Sequence, residues 1–397
     1  MLQDRHIALG ITGSISSYKA ADLASKLTQA GARVDVLMTE AATRFITPLT
    51  LRSLTGRPVF IDMFDPMSEL AEEHVEIARR ADAVLVAPAS ATTIAKLAGG
   101  IGDDMVSLTV LATEAPVLVA PAMDHQMFED AATQTNIETL RERGFVIVGP
   151  GEGRLASGRT GIGRLVETEA LLGALRQTLG RGGDLAGKGV VVSAGGTREP
   201  LDPVRFISNY STGKMGYAVA EAARDRGAEV TLVSTVTTLP CPYGVRFVPV
   251  QTVAEMRDAV LGACEHADAL IMAAAVSDYR PVEVAGHKVK KGSDRKSLEL
   301  ERTKDFLLEI EGPIVKVGFA AETHDLLANA RVKLEQKNLD LIAANDLTAP
   351  GAGFATETNQ VSILDRAGNV EEVPLMSKYD VAHRILDRVV ALLGERG

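Results

Sequence analysis

The chain has only two cysteines, no extended basic run, no uninterrupted apolar stretch of bilayer length and no dinucleotide-binding fingerprint. Each absence removes a class of function. With 42 basic against 52 acidic residues the net charge is −10, so nucleic acid is not an expected partner. Cys241 and Cys264 are too few for a disulfide framework and lack a metal-ligand spacing, which suits a reducing, cytoplasmic location. The opening MLQDRHIALGITG ends its short apolar run in a glycine turn, not in a long hydrophobic region with a cleavage site, so no signal peptide is expected. A membrane span needs ~18 continuous apolar residues, and no membrane partner is expected.

What is present is a repeated grammar. HIALGI, RVDVLM, AVLVA, PVLVA and FVIVG read as strands, separated by helical periods such as residues 20–29. The pattern predicts a parallel α/β sheet. It stops at the glycine-rich LGRGGDLAGKG and restarts with VVVSAGG, EVTLVS, ALIMAAAV, IVKVGFA and LDLIAAN, with QVSILDRAGNVEEV as a late hairpin. The reading is α/β: two doubly wound, mainly parallel-sheet Rossmann-like domains over 1–180 and 189–397, joined by a linker at 181–188. Ligands are expected at the carboxyl ends of the strands.

After the first strand comes GITGSISSYKAADLA, where Gly13, Ser14 and Ser16 place amides and hydroxyls at a helix start, suited to one phosphate. The pattern G-x-G-x-x-G is missing and the second strand ends in Met38-Thr39 rather than an acidic residue. A mononucleotide is therefore favoured over NAD. Two further strands end in APAS and APAM, leaving room for a flat ring. In EEHVEIARRADAVLVAPAS, His74 falls three residues into a predicted helix. A lone histidine there is more often a capping or surface residue than a base.

The residues now reach a known family. GSISSYK, HVEIARRADAVLVAPASATTIAKLAGGIGDDMVS and PAMDHQM together resemble the FMN-dependent cysteine decarboxylases, and specifically the first half of the bifunctional phosphopantothenoylcysteine decarboxylase/phosphopantothenate–cysteine ligases of coenzyme A synthesis. The resemblance covers nearly the whole chain. It implies FMN-dependent oxidation of the substrate thiol, loss of carbon dioxide and return of hydride to the enethiol. By resemblance His74 matches the catalytic histidine, and Gly13, Ser14, Thr39, Ser90, Thr92, Thr93 and Ala122 match flavin contacts. A neutral imidazole serves as a base near pH 7.

Two positions depart from the family pattern. Asp124 replaces an asparagine that binds the substrate carboxylate, with Phe128 where tryptophan often stands. An ionised carboxylate only accepts hydrogen bonds, so Asp124 repels another carboxylate unless it is protonated or turned elsewhere. In LASGRTGIGRL, which matches the segment over the substrate, Ser157 replaces a proton-donating cysteine. A hydroxyl is a far weaker acid than a thiol of pKa about 8.5.

The second half, SAGGTREPLDPVRFISNYSTGKMGYAVAEAARDRGAEVTLVS, resembles the ligase, and AAAVSDYRP, HKVKK, TKDF, VGFAAET and KLEQKNLDLIAAND follow the family in order. Gly213-Lys214 is no phosphate-binding P-loop, because Met215 occupies the magnesium-binding hydroxyl position. The resemblance implies a CTP-dependent ligase that converts 4'-phosphopantothenate to an acyl cytidylate and then captures cysteine, with Mg2+ bridging the phosphates. It assigns Asn209 to the acyl intermediate, Lys288 to phosphate and Asp278 to the cation or ribose. Ala274, Ala275, Lys304, Asp305, Phe319, Lys333 and Lys337 complete the nucleotide site. Family analogy also implies a homo-oligomer, a dodecamer. The competing readings are a pair of regulatory nucleotide-binding modules, or a flavin oxidoreductase or prenyltransferase fused to a dehydrogenase-like domain; the latter predicts NAD or prenyl phosphate binding.

Overall fold

Seven consecutive buried residues, AVLVAPA at Ala83–Ala89, show how this chain folds. A strand with no polar face must be covered on both sides, which a parallel sheet with helices on each face achieves. A computed structural model describes residues 1–64, 72–290, 297–322, 325–346, 353 and 356–396; side chains at 321, 322 and 346 lie outside the description. Lys291 of HKVKK and Thr323 of VGFAAET also fall outside the described residues. The chain divides into two compact units, Met1–Leu179 and Gly180–Gly397.

The first unit has strands β1 (His6–Ile11), β2 (Arg33–Met38), β3 (Val59–Phe60), β4 (Ala83–Ala89), β5 (Val117–Pro121) and β6 (Val146–Ile147), and a separate hairpin of β7 (Gly151–Arg154) and β8 (Thr160–Arg164). Its helices are α1 (Ser17–Gln29), α2 (Glu40–Thr43), α3 (Pro48–Thr55), α4 (Glu73–Arg80), α5 (Ala91–Gly99), α6 (Met105–Ala112), α7 (His125–Glu129), α8 (Ala131–Glu142) and α9 (Thr168–Gly180). The sheet is parallel with the order β3-β2-β1-β4-β5-β6. Strand order reverses between β1 and β4, the kind of switch point beyond whose carboxyl ends open α/β sheets form their ligand crevice.

The second unit contains β9 (Gly189–Ala194), β10 (Arg198–Pro200), β11 (Phe206–Ser208), β12 (Glu229–Ser234), β13 (Arg246–Pro249), β14 (Ala269–Met272), β15 (Tyr279–Pro281), β16 (Leu300–Arg302), β17 (Val315–Glu322), β18 (Leu341–Asp346), β19 (Thr358–Asp365) and β20 (Val370–Ser377). Helices α10 (Lys214–Asp225), α11 (Val253–Cys264), α12 (Leu326–Gln336) and α13 (Lys378–Arg396) cover its sheet. The order is β13-β12-β9-β14-β17-β18-β19-β20. The last two strands are the expected hairpin, antiparallel to each other and to β18. Alternation along the strands builds two cores: Val190, Val192 and Ile271 belong to one, Val191, Leu270 and Met272 to the other.

Several elements differ from the sequence reading. FVIVG contributes only the two-residue strand Val146–Ile147. ALIMAAAV stops as a strand at Met272, because the following amides turn aside: Ala274 N donates to Ser193 Oγ, Ala275 N to Gly195 O and Ser277 N to Thr197 Oγ1. The small hairpin β7–β8 and the paired strands β10–β11 and β15–β16 carry too few apolar residues to announce themselves. The glycine-rich stretch 181–188 is held on the second unit: Leu185 is buried in its core, and Asp184 takes the Arg226 guanidinium at 2.5–2.8 Å.

Candidate active sites

In the first unit the crevice is assembled by hydroxyls. Thr12, fully buried at the end of β1, donates to Pro88 O at 2.8 Å and accepts Ser90 N at 2.9 Å. The tips of β1 and β4 are thereby tied together. Ser90 accepts Thr93 N to cap α5, Thr39 accepts Ala42 N to cap α2, and Ser14 Oγ donates to Ala122 O at 3.4 Å. A Cβ on Gly13 would lie 2.6 Å from Ala41 Cβ, so only glycine lets the chain pass there. Gly13, Ser14, Thr39, Ser90, Thr92, Thr93 and Ala122 all sit after β1, β2, β4 or β5 at this one edge. Thr92 is exposed, whereas Thr93 is buried, its Oγ1 3.1 Å from Ser90 Oγ. Hydroxyls, small side chains and the start of the 13-residue α1 suit a phosphate and a flat ring.

His74 is the second residue of α4 and half-buried. Because α4 runs into β4, a parallel strand, the helix lies antiparallel to the sheet and its first turn points to the carboxyl edge. Topology thus delivers His74 to the crevice side. The other end of α4 is pinned: buried Asp35 on β2 accepts Arg80 Nε at 2.8 Å and Arg57 Nη2 at 2.6 Å. Glu73 and Glu76 in the first turn and Arg79 and Arg80 in the last complement the helix dipole.

The hairpin β7–β8 reaches the start of α7. Met123 N donates to Gly163 O at 2.9 Å, and a Cβ on Gly163 would meet Met123 O at 2.3 Å. At the hairpin's tip Ser157 Oγ donates to Asp124 Oδ2 at 2.7 Å, and Asp124 Oδ1 caps α7 by accepting Gln126 N at 3.2 Å. The Ser157 hydroxyl and the Gln126 amide hold the Asp124 carboxyl below its ordinary range. The two departures from the family pattern are therefore partners, and Asp124 is turned onto Ser157 and α7. Sequence reading missed that bond, since 33 residues separate its ends.

In the second unit Asn209 Nδ2 donates to Ala275 O and Val276 O at 3.3 and 3.4 Å, joining the loop before α10 to the turn after β14. Asp278 ends that turn, exposed, its carbonyl accepting Thr303 N at 2.9 Å. Asn209, Ala274, Ala275 and Asp278 are thus grouped. Lys337 Nζ pairs with Asp305 Oδ2 at 3.1 Å, linking the end of α12 to the turn carrying Lys304. Lys333 lies one turn earlier on α12, and Phe319 is half-buried on β17. Lys288 is exposed in a segment held by Asp202, whose Oδ2 accepts Val289 N at 3.1 Å.

Three further residues mark this edge. Thr235 Oγ1, Ser277 Oγ and Asn345 Oδ1 are buried and, among the described residues, have no hydrogen-bond partner. Thr235 follows β12, Ser277 lies beyond β14, and Asn345 lies near the end of β18. Buried polar atoms are nearly always paired, so three orphans at one sheet edge are what a bound polar ligand leaves. The available signal was a polar residue directly after each apolar run. Burial pushes the Cys264 thiol up to about 12 and raises that of Cys241, so neither is poised as a thiolate.

The fold is that of two doubly wound α/β units of the same winding, the first of the flavoprotein class. Residues 1–180 match the Flavoprotein family and residues 185–393 the DNA/pantothenate metabolism flavoprotein C-terminal domain. The chain is 46% identical over its whole length to the coenzyme A biosynthesis bifunctional protein of Bacillus subtilis, covering 99% of that protein. It is 42% identical to the Escherichia coli K12 counterpart, again over 100% of this chain and 99% of the other. A crystal structure of the C-terminal domain of such a protein shares 40% identity with a TM-score of 0.46, covering 53% of this chain and 98% of that one. The chain belongs to the coenzyme A biosynthesis bifunctional proteins.

Proposed function

We propose that the two units divide one synthesis, residues 189–397 acting as the ligase and residues 1–180 as the decarboxylase. The chain is a bifunctional enzyme of coenzyme A biosynthesis, working through ligation and FMN-dependent decarboxylation. In the ligase a carboxylate oxygen of 4'-phosphopantothenate attacks the α-phosphorus of CTP and expels pyrophosphate. The amine of cysteine then attacks the acyl carbon and expels CMP. Lys288 offsets the charge that builds on the phosphate, and Asn209 orients the acyl group. The backbone of Ala274 and Ala275 faces the base; Lys304, Asp305, Phe319, Lys333 and Lys337 complete the nucleotide site. Asp278 would hold Mg2+; such a site usually needs only one or two carboxylates, the substrate phosphates supplying the rest. The observation that carries this half is the set of orphaned atoms on Thr235, Ser277 and Asn345.

In the decarboxylase, Gly13, Ser14, Thr39, Ser90, Thr92, Thr93 and Ala122 would hold FMN, which when bound supplies a reversible two-electron oxidation of the substrate thiol. His74 takes the thiol proton. The β7–β8 hairpin, fastened through Ser157 and Asp124, covers the substrate and excludes water. The enzyme is read as a cytoplasmic homo-oligomer, a dodecamer by family analogy; among the described residues no helix is long and apolar enough to cross a membrane.

The test is mass spectrometry of products from purified protein with phosphopantothenate, cysteine, CTP and Mg2+. Phosphopantetheine should form, with CMP and pyrophosphate. Lys288→Gln should cut pyrophosphate release ~10² to 10³-fold and leave decarboxylation of supplied phosphopantothenoylcysteine intact. Equal loss of both activities would assign Lys288 a structural role.

A further inference from the structure

Lys378 is in an unusual place for a lysine. It is the first residue of α13, where the positive end of the helix dipole disfavours a cation, and it is 5% exposed. Its ammonium is nonetheless richly coordinated. Nζ donates to Gly353 O at 3.0 Å, Thr356 O at 2.5 Å, Thr358 O at 3.1 Å and, more distantly, Thr356 Oγ1 at 3.4 Å. Three of these four oxygens are backbone carbonyls. Burial, aided by the nearby Lys214 charge and only partly offset by Glu357, lowers the lysine's pKa.

A ring of carbonyl oxygens around one charge is how proteins replace the hydration shell of a bare monovalent cation. We propose that the Lys378 ammonium is a tethered monovalent cation, filling an oxygen cage that accepts K+ or NH4+ once the side chain is removed. Ammonium and K+ are similar in size, whereas Na+ and Li+ are smaller and would leave the carbonyls too far away.

The cage sits beside the ligase loops. Lys378 N donates to Glu357 O at 2.9 Å, and the Glu357 carboxylate pairs with Lys214 Nζ at 2.5 Å in the first turn of α10. Asn359, next after Thr358, reaches Met215 Sδ at 3.8 Å. Gly213 is the N-cap of that helix, and Asn209 lies four residues before it. Lys378 is therefore a positioning residue: its charge gathers the oxygens of Gly353, Thr356 and Thr358, and the neighbouring Glu357 and Asn359 brace the start of α10. Only this last link rests on the ligase reading; the cage itself does not.

The experiment is run on the full chain with Lys378→Ala, in choline, Li+, Na+, K+ and NH4+ chlorides at equal ionic strength. Wild type should melt and turn over equally in all five. The variant should melt about 5–10 °C lower in choline, regain most of that loss in K+ or NH4+, and regain little in Li+. Its ligase rate should fall roughly tenfold in choline and recover with the same ions, while decarboxylation of supplied substrate stays constant. Salt-selective melting without a matching ligase response would keep the cage and refute the bracing of α10. Melting that is equal in every salt would overturn the proposal. If the variant is insoluble, refolding from denaturant replaces melting: recovery in KCl but not choline supports the cage, and equal failure in both overturns it.

Discussion

The two units share one winding and use it differently. Each runs six parallel strands in the same relative order, and the second adds the antiparallel pair β19–β20. In the first, the hydroxyls at the strand tips are satisfied by neighbouring backbone: Thr12 donates to Pro88 O and accepts Ser90 N, Ser90 accepts Thr93 N, and Ser17 donates to Thr12 O and Ser14 O. In the second, the side-chain oxygens of Thr235, Ser277 and Asn345 are buried without partners among the described residues, whereas the first unit's orphaned atoms are ring nitrogens, His6 Nδ1 and His125 Nδ1. A cradle whose hydroxyls are already satisfied is preorganised for a resident group held by backbone and shape. A cradle with orphaned side chains favours a ligand that brings its own hydrogen bonds, as a consumed nucleotide does. On the proposed reading, one scaffold serves as a cofactor seat in the first unit and a cosubstrate seat in the second.

The largest effect expected from breaking this contrast is at His74. His74→Asn should retain FMN, because none of the contacts proposed to hold it uses the imidazole. It should lose ~10² to 10⁴ in substrate-driven flavin reduction, read by anaerobic stopped-flow absorbance. Normal reduction would return His74 to a capping role.

The orphaned hydroxyls sharpen the comparison from the other side. Thr235→Val removes a buried donor that has no partner in the free protein, so the free chain should gain about 1 kcal/mol. CTP binding should weaken by roughly fivefold to tenfold for the same reason, measured by calorimetry. A destabilised free variant would show that the hydroxyl already had a partner. At Thr12, whose hydroxyl is paired on both sides, the same change to valine should destabilise.

The smallest effect belongs to the hairpin tip. Ser157→Cys should speed reoxidation of the reduced flavin by the enethiol without changing its initial reduction, and Ser157→Ala should not. Wild-type behaviour in both would move the proton donor elsewhere. The pH dependence has a definite sign. The folded-state pKa of Asp124 is depressed, mainly by the Ser157 hydroxyl, so the bond is intact above the ordinary carboxylate range. It is lost only as pH falls through that lowered value. The NMR shifts of the tip amides at Gly158 and Arg159 should change as pH falls through that value in wild type and stay flat over the same range for Asp124→Asn.

Much of this was legible beforehand where chemistry is local. Apolar runs such as AVLVAPA and EVTLVS announced buried strands, and glycine turns announced the helix starts that follow them. Short hairpins were not legible, because β7–β8 and β10–β11 bury little and their pairing depends on what they pack against. Nor did ALIMAAAV reveal that its strand ends at Met272, since the deciding acceptors lie on residues 193–197.

Periodicity and residue type alone determined the α/β class, the two sheets, and the placement of glycines and hydroxyls after strands, since hydrophobic burial and turn conformation act over a few residues. Only the tertiary structure decided that Asp124 and Ser157 are partners, that three hydroxyl and amide oxygens are left unpaired, and that Lys378 turns inward. Those outcomes join residues 20 to 33 positions apart or depend on every neighbour of a buried atom, and no local pattern records them.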